Sequence, residues 1–230
     1  MNDLFASSVT IGVVISLLAY QLGVWLRNKT KKAIFNPLLI SIILVIAILL
    51  LLGIDFNSYN HSAKYLSYLL TPATVSLAIP LYEKLDLLKK NLWAILIGVF
   101  SGVMTSLISI LAMSLLFGLS HAEYVTLLPK SITTAIGIGV SEELGGYVSI
   151  TATAIIITGI FGNIVGEFIC KCFRIKHPIS RGLALGTSSH AIGTTKAMEM
   201  GDIEGAMSSL SIVIAGLLTV LFASVFAMFY

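Results

Sequence analysis

The sequence predicts an all-α integral membrane protein with about six full transmembrane helices plus interrupted or re-entrant helical segments. Of the 230 residues, 57% are hydrophobic and 11% are charged, whereas about a quarter of a soluble domain is charged. The apolar residues form long runs, and the polar ones gather in a few broken segments. Helices suit such runs because they satisfy every backbone polar group internally, as lipid requires. A soluble enzyme, a disordered tail and a secreted disulfide scaffold are therefore excluded.

Five runs are predicted to cross the membrane as continuous helices, because each is long, apolar and nearly free of charge. They cover residues 7–26, 35–53, 92–117, 147–170 and 206–229. Three further segments are broken by Pro, Gly and runs of Ser and Thr, namely 62–82, 125–146 and 182–201. We expect these three to be embedded but interrupted. Residues 1–230 are taken as one membrane domain, since no separate soluble part is recognised.

The basic residues predict the orientation. Eleven of the fourteen Lys and Arg fall in three short loops, 27–32, 84–90 and 171–181. The positive-inside rule places these loops in the cytoplasm, and the N-terminus is then predicted to lie outside.

This orientation constrains the broken segments. Between the loops 84–90 and 171–181 the chain crosses an even number of times, and two continuous helices already supply two crossings. Segment 125–146 is therefore predicted to be a re-entrant hairpin from the outer side. Segment 182–201 would likewise be a hairpin from the inner side if the helix 206–229 ends outside, although no basic loop follows to fix that end. Units 92–146 and 147–201 would form an inverted repeat, as in many secondary transporters. In the alternative, both segments cross fully and loop 171–181 faces outside, against the charge rule.

The first candidate binding segment surrounds Lys130. Pro129 and nearby glycines interrupt a helix there, and Ser131, Thr133 and Thr134 supply hydroxyl groups. Irregular backbone at membrane depth is tolerated where it lines a wet cavity. A helix that begins after the break directs free N–H groups and its positive dipole end at the gap, which would suit a carboxylate. In the alternative, Lys130 snorkels to an interface and the hydroxyls bond to their own helix.

The second candidate segment, 181–196, brings hydroxyls, an imidazole and an ammonium group into an otherwise apolar region. His190 could bind an anion or carry a coupling proton, since its unperturbed pKa lies near physiological pH; its alternative role is a neutral core histidine. Lys196 could also snorkel, and Asn163 is deep enough in its helix to reach a hairpin. The predicted substrate-binding residues are Lys130, Ser131, Thr133, Thr134, Ser188, Ser189, His190, Thr194, Lys196 and Asn163.

Other patterns carry less chemistry. Gly159, Gly162 and Gly166 have the spacing of a close helix-packing seam. No catalytic, zinc-binding or phosphate-loop pattern is recognised, which predicts a protein that is neither an enzyme nor dependent on a cofactor or metal. Coupling to protons or sodium ions is left open. The net charge of +3 is small and dispersed, which argues against nucleic-acid binding.

Two long motifs stand out, PKSITTAIGIGVSEELGG at 129–146 and RGLALGTSSHAIGTTKAMEMG at 181–201. Both resemble signatures of the LrgB/CidB family, and the resemblance extends over nearly the whole chain without separating the two branches. It implies two functions. One is antiholin-like modulation of murein hydrolases, autolysis and programmed cell death, together with a small LrgA- or CidA-type membrane partner. The other is transport of small monocarboxylates, namely pyruvate in bacteria and glycolate or glycerate in a plastid relative.

The residues themselves favour transport, since interrupted helices with Lys, His and hydroxyl groups suit a small carboxylate. We therefore expect a monocarboxylate transporter of the bacterial cell membrane, whose effects on autolysis follow from carboxylate flux. The alternative is a regulator that does not transport and that assembles with the small partner protein. The bilayer surrounds the protein in either case, and a homo-oligomer is left open.

Overall fold

The computed structural model describes residues 8, 10–31 and 34–230, and every regular element in them is helical. The all-α prediction is confirmed. Residue 7, where the first predicted span begins, and Lys32 of the first basic loop lie outside the described residues. The chain divides into two compact units, Met1–Ser76 and Leu77–Tyr230. The single domain over 1–230 stays a prediction.

The first unit contains two long helices followed by short ones. Asn36 begins α2 by accepting hydrogen bonds from the backbone N–H groups of Leu38 and Leu39. Gly53 ends α2 with a left-handed φ of 61°, which glycine adopts without steric cost. The elements are α1 (Ile11–Thr30), α2 (Pro37–Leu52), α3 (Phe56–Ala63), a 3-10 turn (Lys64–Leu69) and α4 (Leu70–Ser76).

The second unit carries the remaining helices and both motifs. They are α5 (Ala78–Glu83), α6 (Leu85–Lys90), α7 (Leu92–Phe117), α8 (His121–Leu127), α9 (Thr134–Glu143), α10 (Val148–Cys172), α11 (Pro178–Met200) and α12 (Asp202–Ala227). Its apolar core joins α7, α8 and α12, with Tyr124 and Met207 fully buried. The core therefore holds the first and last long helices of this unit together.

Four of the described helices, α1, α7, α10 and α12, are long and apolar enough to cross a membrane. Helix α2 is apolar but has 16 residues, fewer than the roughly 20 that a typical span needs. Segment 62–82 is divided into short helices, as its interruptions predict. The membrane class is thus supported by length and composition, while the count of six full spans stays a prediction.

Residues 121–143 turn back on themselves, and we call them hairpin 1. Ser120 and Glu123 form a reciprocal capping box that begins α8. The chain reverses after Pro129, so that a Cβ added to Gly137 would lie 3.3 Å from the carbonyl oxygen of Pro129. At the base of the hairpin, the Tyr147 N–H donates to the Thr126 hydroxyl at 2.7 Å. The chain therefore leaves hairpin 1 beside the point where it entered, with Thr126 and Tyr147 in contact.

Residues 178–200 also reverse, and we call them hairpin 2. His190 interrupts α11 with a φ of 43° and a ψ of −140°, a left-handed conformation that is strained for a residue with a side chain. A Cβ on Gly193 would lie 2.7 Å from the carbonyl oxygen of Leu185, whereas these residues would be about 12 Å apart in a continuous helix. Hairpin 2 therefore has an outgoing arm, 178–189, and a returning arm, 191–200.

The two hairpins reach α10 from its opposite ends. The base of hairpin 1 bonds to the first turn of α10, where the Thr151 hydroxyl donates to the carbonyl of Thr126 at 2.9 Å. The base of hairpin 2 lies at the other end, where Lys196 pairs with Glu167 at 2.7 Å. Both tips meet at Ile155: its carbonyl accepts a hydrogen bond from His190, and its side chain lies against Gly137. The two segments thus reverse in opposite directions along α10, while their entry from opposite sides of a membrane and the inverted repeat stay predictions.

Candidate functional site

A groove of about 660 Å³ runs beside the hairpin tips. Its walls are one face of α7 and one face of α10, its floor is the outgoing arm of hairpin 2, and Lys130 and Ser131 of hairpin 1 close one end. The opposite end lies by Ile175 and Ile179, next to the basic loop 171–181. The groove therefore joins the tips to the side predicted to be cytoplasmic.

The closed end of the groove is polar and positively charged. The Lys130 ammonium group donates to the Ser131 hydroxyl at 3.0 Å, and that hydroxyl lies 3.3 Å from the Ser106 hydroxyl of α7. Lys130 is half-buried and lines the groove. An ammonium group beside two hydroxyls can hold a carboxylate through charge-assisted hydrogen bonds.

The tip of hairpin 2 adds further hydroxyls. Ser188 is exposed in the floor, and its hydroxyl lies 3.0 Å from that of Ser189, which is buried. Thr187 lies beside Gly102 of α7, one helical turn from Ser106. The two tips therefore contact adjacent turns of α7, with Ser131 at Ser106 and Thr187 at Gly102.

Glycines on α10 let hairpin 2 approach closely. A Cβ added to Gly159 would meet the His190 ring. A Cβ on Gly162 would meet the Ser189 side chain, and one on Gly166 the Leu185 side chain. The predicted packing seam is therefore filled by hairpin 2 within this chain. It positions Ser189 and His190 rather than offering a free surface for another protein.

Several predicted binding residues stabilise the hairpins and do not line the groove. His190 is buried and donates from Nε2 to the carbonyl of Ile155 at 3.0 Å. Thr194 bonds to the Ser208 hydroxyl of α12 at 2.7 Å, and Asn163 donates to the carbonyl of Ile192 at 2.8 Å. Of the ten, Lys130, Ser131, Ser188 and Ser189 line the groove. Thr133 is the residue before α9, and Thr134 begins that helix.

Lys196 lies in a cluster of charges at the base of hairpin 2. Its ammonium group is 2.7 Å from Glu167 and 3.5 Å from Glu199, and Glu167 also pairs with Lys171 at 2.8 Å. This cluster joins the returning arm to α10, away from the groove. Its geometry favours a role in fastening the hairpin over direct binding of a substrate.

We expect Lys196→Met to lower the stability of the protein by about 1–2 kcal/mol, because a partly buried ion pair is worth more than an exposed one. The affinity for a small carboxylate should change by less than about twofold, since the side chain does not line the groove. Thermal unfolding in detergent, without and with added carboxylate, measures the two effects. Lys196→Arg, which keeps the charge, is the matched control. A large loss of affinity with unchanged stability would show that Lys196 belongs to the binding site.

One wall of the groove was not predicted. Helix α7 presents small and hydroxyl-bearing residues at three- and four-residue spacing, the pattern of one helical face. The detectable signal was this stripe inside a span that otherwise reads as uniformly apolar. Its members that line the groove are Ala94, Gly98, Gly102, Thr105, Ser106 and Ser109.

Comparison of the sequence with a family model and with curated proteins points to the same family in both cases. The LrgB-like family model matches residues 16–229. Proteins named antiholin-like protein LrgB from Bacillus cereus (strains B4264 and AH187) and from Bacillus anthracis (strain CDC 684 / NRRL 3495) are each 39% identical over 227 residues, covering 97% of this chain and 99% of the relative. No solved structure matches the chain.

Proposed function

The chain belongs to the LrgB-like family, and from that premise we propose that it is a secondary transporter of small monocarboxylates of the pyruvate, glycolate and glycerate type. The observation that carries the proposal is the meeting of two opposed hairpins beside Lys130. Discontinuous helices that meet near the middle of a membrane are the usual substrate site of secondary transporters.

The carboxylate would bind at the closed end of the groove. Lys130 supplies the charge, and Ser131, Ser106 and Ser188 supply hydroxyl groups for its oxygens and for a second oxygen on the neighbouring carbon. The second helix of each hairpin begins just after its tip, so the positive ends of both helix dipoles add to the attraction.

We further propose that 92–146 and 147–201 act as inverted repeats. Each contains one long helix and one hairpin, and the hairpins approach α10 from opposite ends. Rocking one repeat against the other would expose the site alternately to each side of the bacterial cell membrane, with the N-terminus outside. His190 at the second tip, which does not line the groove, would carry the coupling proton rather than select the anion, with sodium coupling as the other choice.

The test is uptake by the purified chain in liposomes, with and without an LrgA-type partner. We expect saturable uptake of labelled pyruvate, inhibited by glycolate, when a proton or sodium gradient is imposed. His190→Gly should remove proton dependence while keeping the reversal, because glycine adopts the left-handed φ of this position freely. No uptake in either preparation, with folding verified, would contradict the proposal. Uptake only with the partner would make the pair the transporter.

The name of the relatives supports a second candidate. A chain that does not transport could instead regulate murein hydrolases and programmed cell death by assembling with an LrgA- or CidA-type protein. In that case, variants in the groove would leave autolysis unchanged. Under the transport proposal, autolysis and uptake should fail together in the same variants, because the first follows from carboxylate flux.

A further inference from the structure

The groove is much larger than a three-carbon acid. Its volume of about 660 Å³ is in the range of cavities that enclose drug-sized ligands. The six non-hydrogen atoms of pyruvate occupy on the order of 100 Å³, the share of a few water molecules. Along α7 the lining extends from Ser109 to Ala94, which is about 22 Å of helix. Most of the groove would therefore stay empty around such a substrate.

The polar and apolar parts of the groove are separated. Among the described residues that line it, Lys130 is the one charged side chain, and the hydroxyls of the tips lie near it. Beyond this end, most lining side chains of α10, the following loop and the outgoing arm are apolar, although Ser180 adds a hydroxyl to the arm. The larger apolar ones are Phe161, Val165, Ile169, Ile175, Ile179 and Leu183. The apolar part of a ligand can therefore lie here, away from the charged end.

The floor of the groove is open and smooth. Ser180, Ala184 and Ser188 are exposed in it and lie one helical turn apart. Their short side chains leave room along the outgoing arm, from the basic loop to the hydroxyls of the tip. An apolar chain several carbons long can lie on this strip while its charged end reaches Lys130.

We propose that the groove binds monocarboxylates that carry an apolar arm, with the carboxylate at Lys130 and the arm along Ala184. This inference rests on the proposed transport function and specifies its substrate class. The charge of Lys130 selects an acid with one carboxylate. Each carbon of the arm that leaves water for the apolar lining makes the binding free energy more favourable. An acid with a longer apolar chain should therefore bind better than one with the same head and no arm.

The experiment compares two acids with identical 2-oxo acid heads. Pyruvate has no arm beyond its methyl group, whereas 4-methyl-2-oxopentanoate carries three more carbons. In liposomes, we expect 4-methyl-2-oxopentanoate to be taken up and to inhibit pyruvate uptake at a concentration at least about tenfold lower than pyruvate itself requires. Thermal stabilisation of the purified protein by each acid gives a second measurement that does not depend on transport.

Ala184→Phe tests the placement of the arm, because the ring would fill the floor without touching Lys130. We expect this variant to weaken the binding of 4-methyl-2-oxopentanoate at least about tenfold and the binding of pyruvate less than about twofold. Ala184→Leu, a smaller side chain at the same place in the floor, should act in the same direction and serves if the first variant does not fold. Ala112→Phe places the same ring on an exposed position of α7 outside the groove lining and should affect neither acid.

The outcomes separate the two proposals. Pyruvate uptake that 4-methyl-2-oxopentanoate does not inhibit would overturn the arm and leave the transport function standing. If Ala184→Phe weakens the binding of both acids equally, the ring blocks an access path that they share. That result would also overturn the proposed placement of the apolar arm. A phospholipid that copurifies with the wild type and is lost in Ala184→Phe, without competition by the acid, would assign the apolar lining to lipid. Neither uptake nor stabilisation with either acid would overturn both proposals.

Discussion

Replacing Lys130 by methionine is expected to reduce carboxylate uptake about a hundredfold while the protein stays folded. Methionine keeps the length of the side chain and removes its charge. Losing one partner of a half-buried, hydrogen-bonded charge pair costs about two powers of ten in affinity. Ser131 also loses the donor that lies 3.0 Å from its hydroxyl. The closed end of the groove then lacks both the positive charge and the hydrogen bond that orients this hydroxyl. Initial rates of labelled pyruvate uptake in liposomes measure the effect.

Lys171→Met is the matched control for this variant. Lys171 pairs with Glu167 on the exposed surface of α10, with 69% of its side chain exposed, and it does not line the groove. We expect its uptake to stay within about twofold of the wild type, since an exposed ion pair contributes little. Lys130→Arg should keep part of the activity. Normal uptake by Lys130→Met would place the substrate site elsewhere in the chain.

The second large effect is expected from Gly162→Ala. A Cβ at this position would meet the Ser189 hydroxyl and lie 2.6 Å from the Ser189 Cβ. Ser189 is buried directly before the reversal at His190, so hairpin 2 has to shift. Overpacking of this kind typically costs about 1–3 kcal/mol. We expect a lower unfolding temperature and a loss of uptake, because the tip no longer meets hairpin 1 in register.

Gly139→Ala is the control for this steric effect. It adds the same methyl group to a helical glycine of hairpin 1, where nothing lies within 4 Å of the new atom. The substitution should be tolerated or slightly stabilising, because alanine favours a helix by about 1 kcal/mol over glycine. Equal damage from the two variants would show that general sensitivity to alanine, rather than contact with hairpin 2, explains the loss.

Gly162 also bears on the choice between transport and regulation. If the seam of Gly159, Gly162 and Gly166 were a docking face for a partner, variants there would separate the two functions. Because hairpin 2 fills the seam, such variants damage the proposed transport site as well. Lys130 distinguishes the functions better, since its charge serves the groove and its replacement leaves the helix packing in place.

The sequence predicted the interruptions well because they are local. Pro129 interrupts a regular helix, and charge parity predicts that segment 125–146 returns; it predicts the same for 182–201 only if the helix 206–229 ends outside. Lys130 and Ser131 were found for the same reason, as polar groups beside a break. The place of the second reversal was less visible: it occurs at His190, a residue that sequence rules would not put in a left-handed conformation.

Other features depend on contacts between distant helices, and no local pattern contains them. The sequence alone predicts Lys196 as a binding residue, whereas its ion pair with Glu167 depends on the register of hairpin 2 against α10. Ser106 was missed because one hydroxyl in a long apolar helix commonly bonds to its own backbone. Its role became visible once hairpin 1 placed Ser131 opposite.

The dependence of both hairpins on α10 has a consequence for biogenesis. Hairpin 1 leaves the ribosome before α10 is complete, yet the hydrogen bonds that close its base come from Tyr147 and Thr151, at the start of α10. Hairpin 2 follows α10 and then needs Ser208 of the last helix. Neither polar segment can be stably embedded when it is made. We expect the insertion machinery to shelter hairpin 1 until α10 arrives, and hairpin 2 to complete its contacts only after α12 has been released.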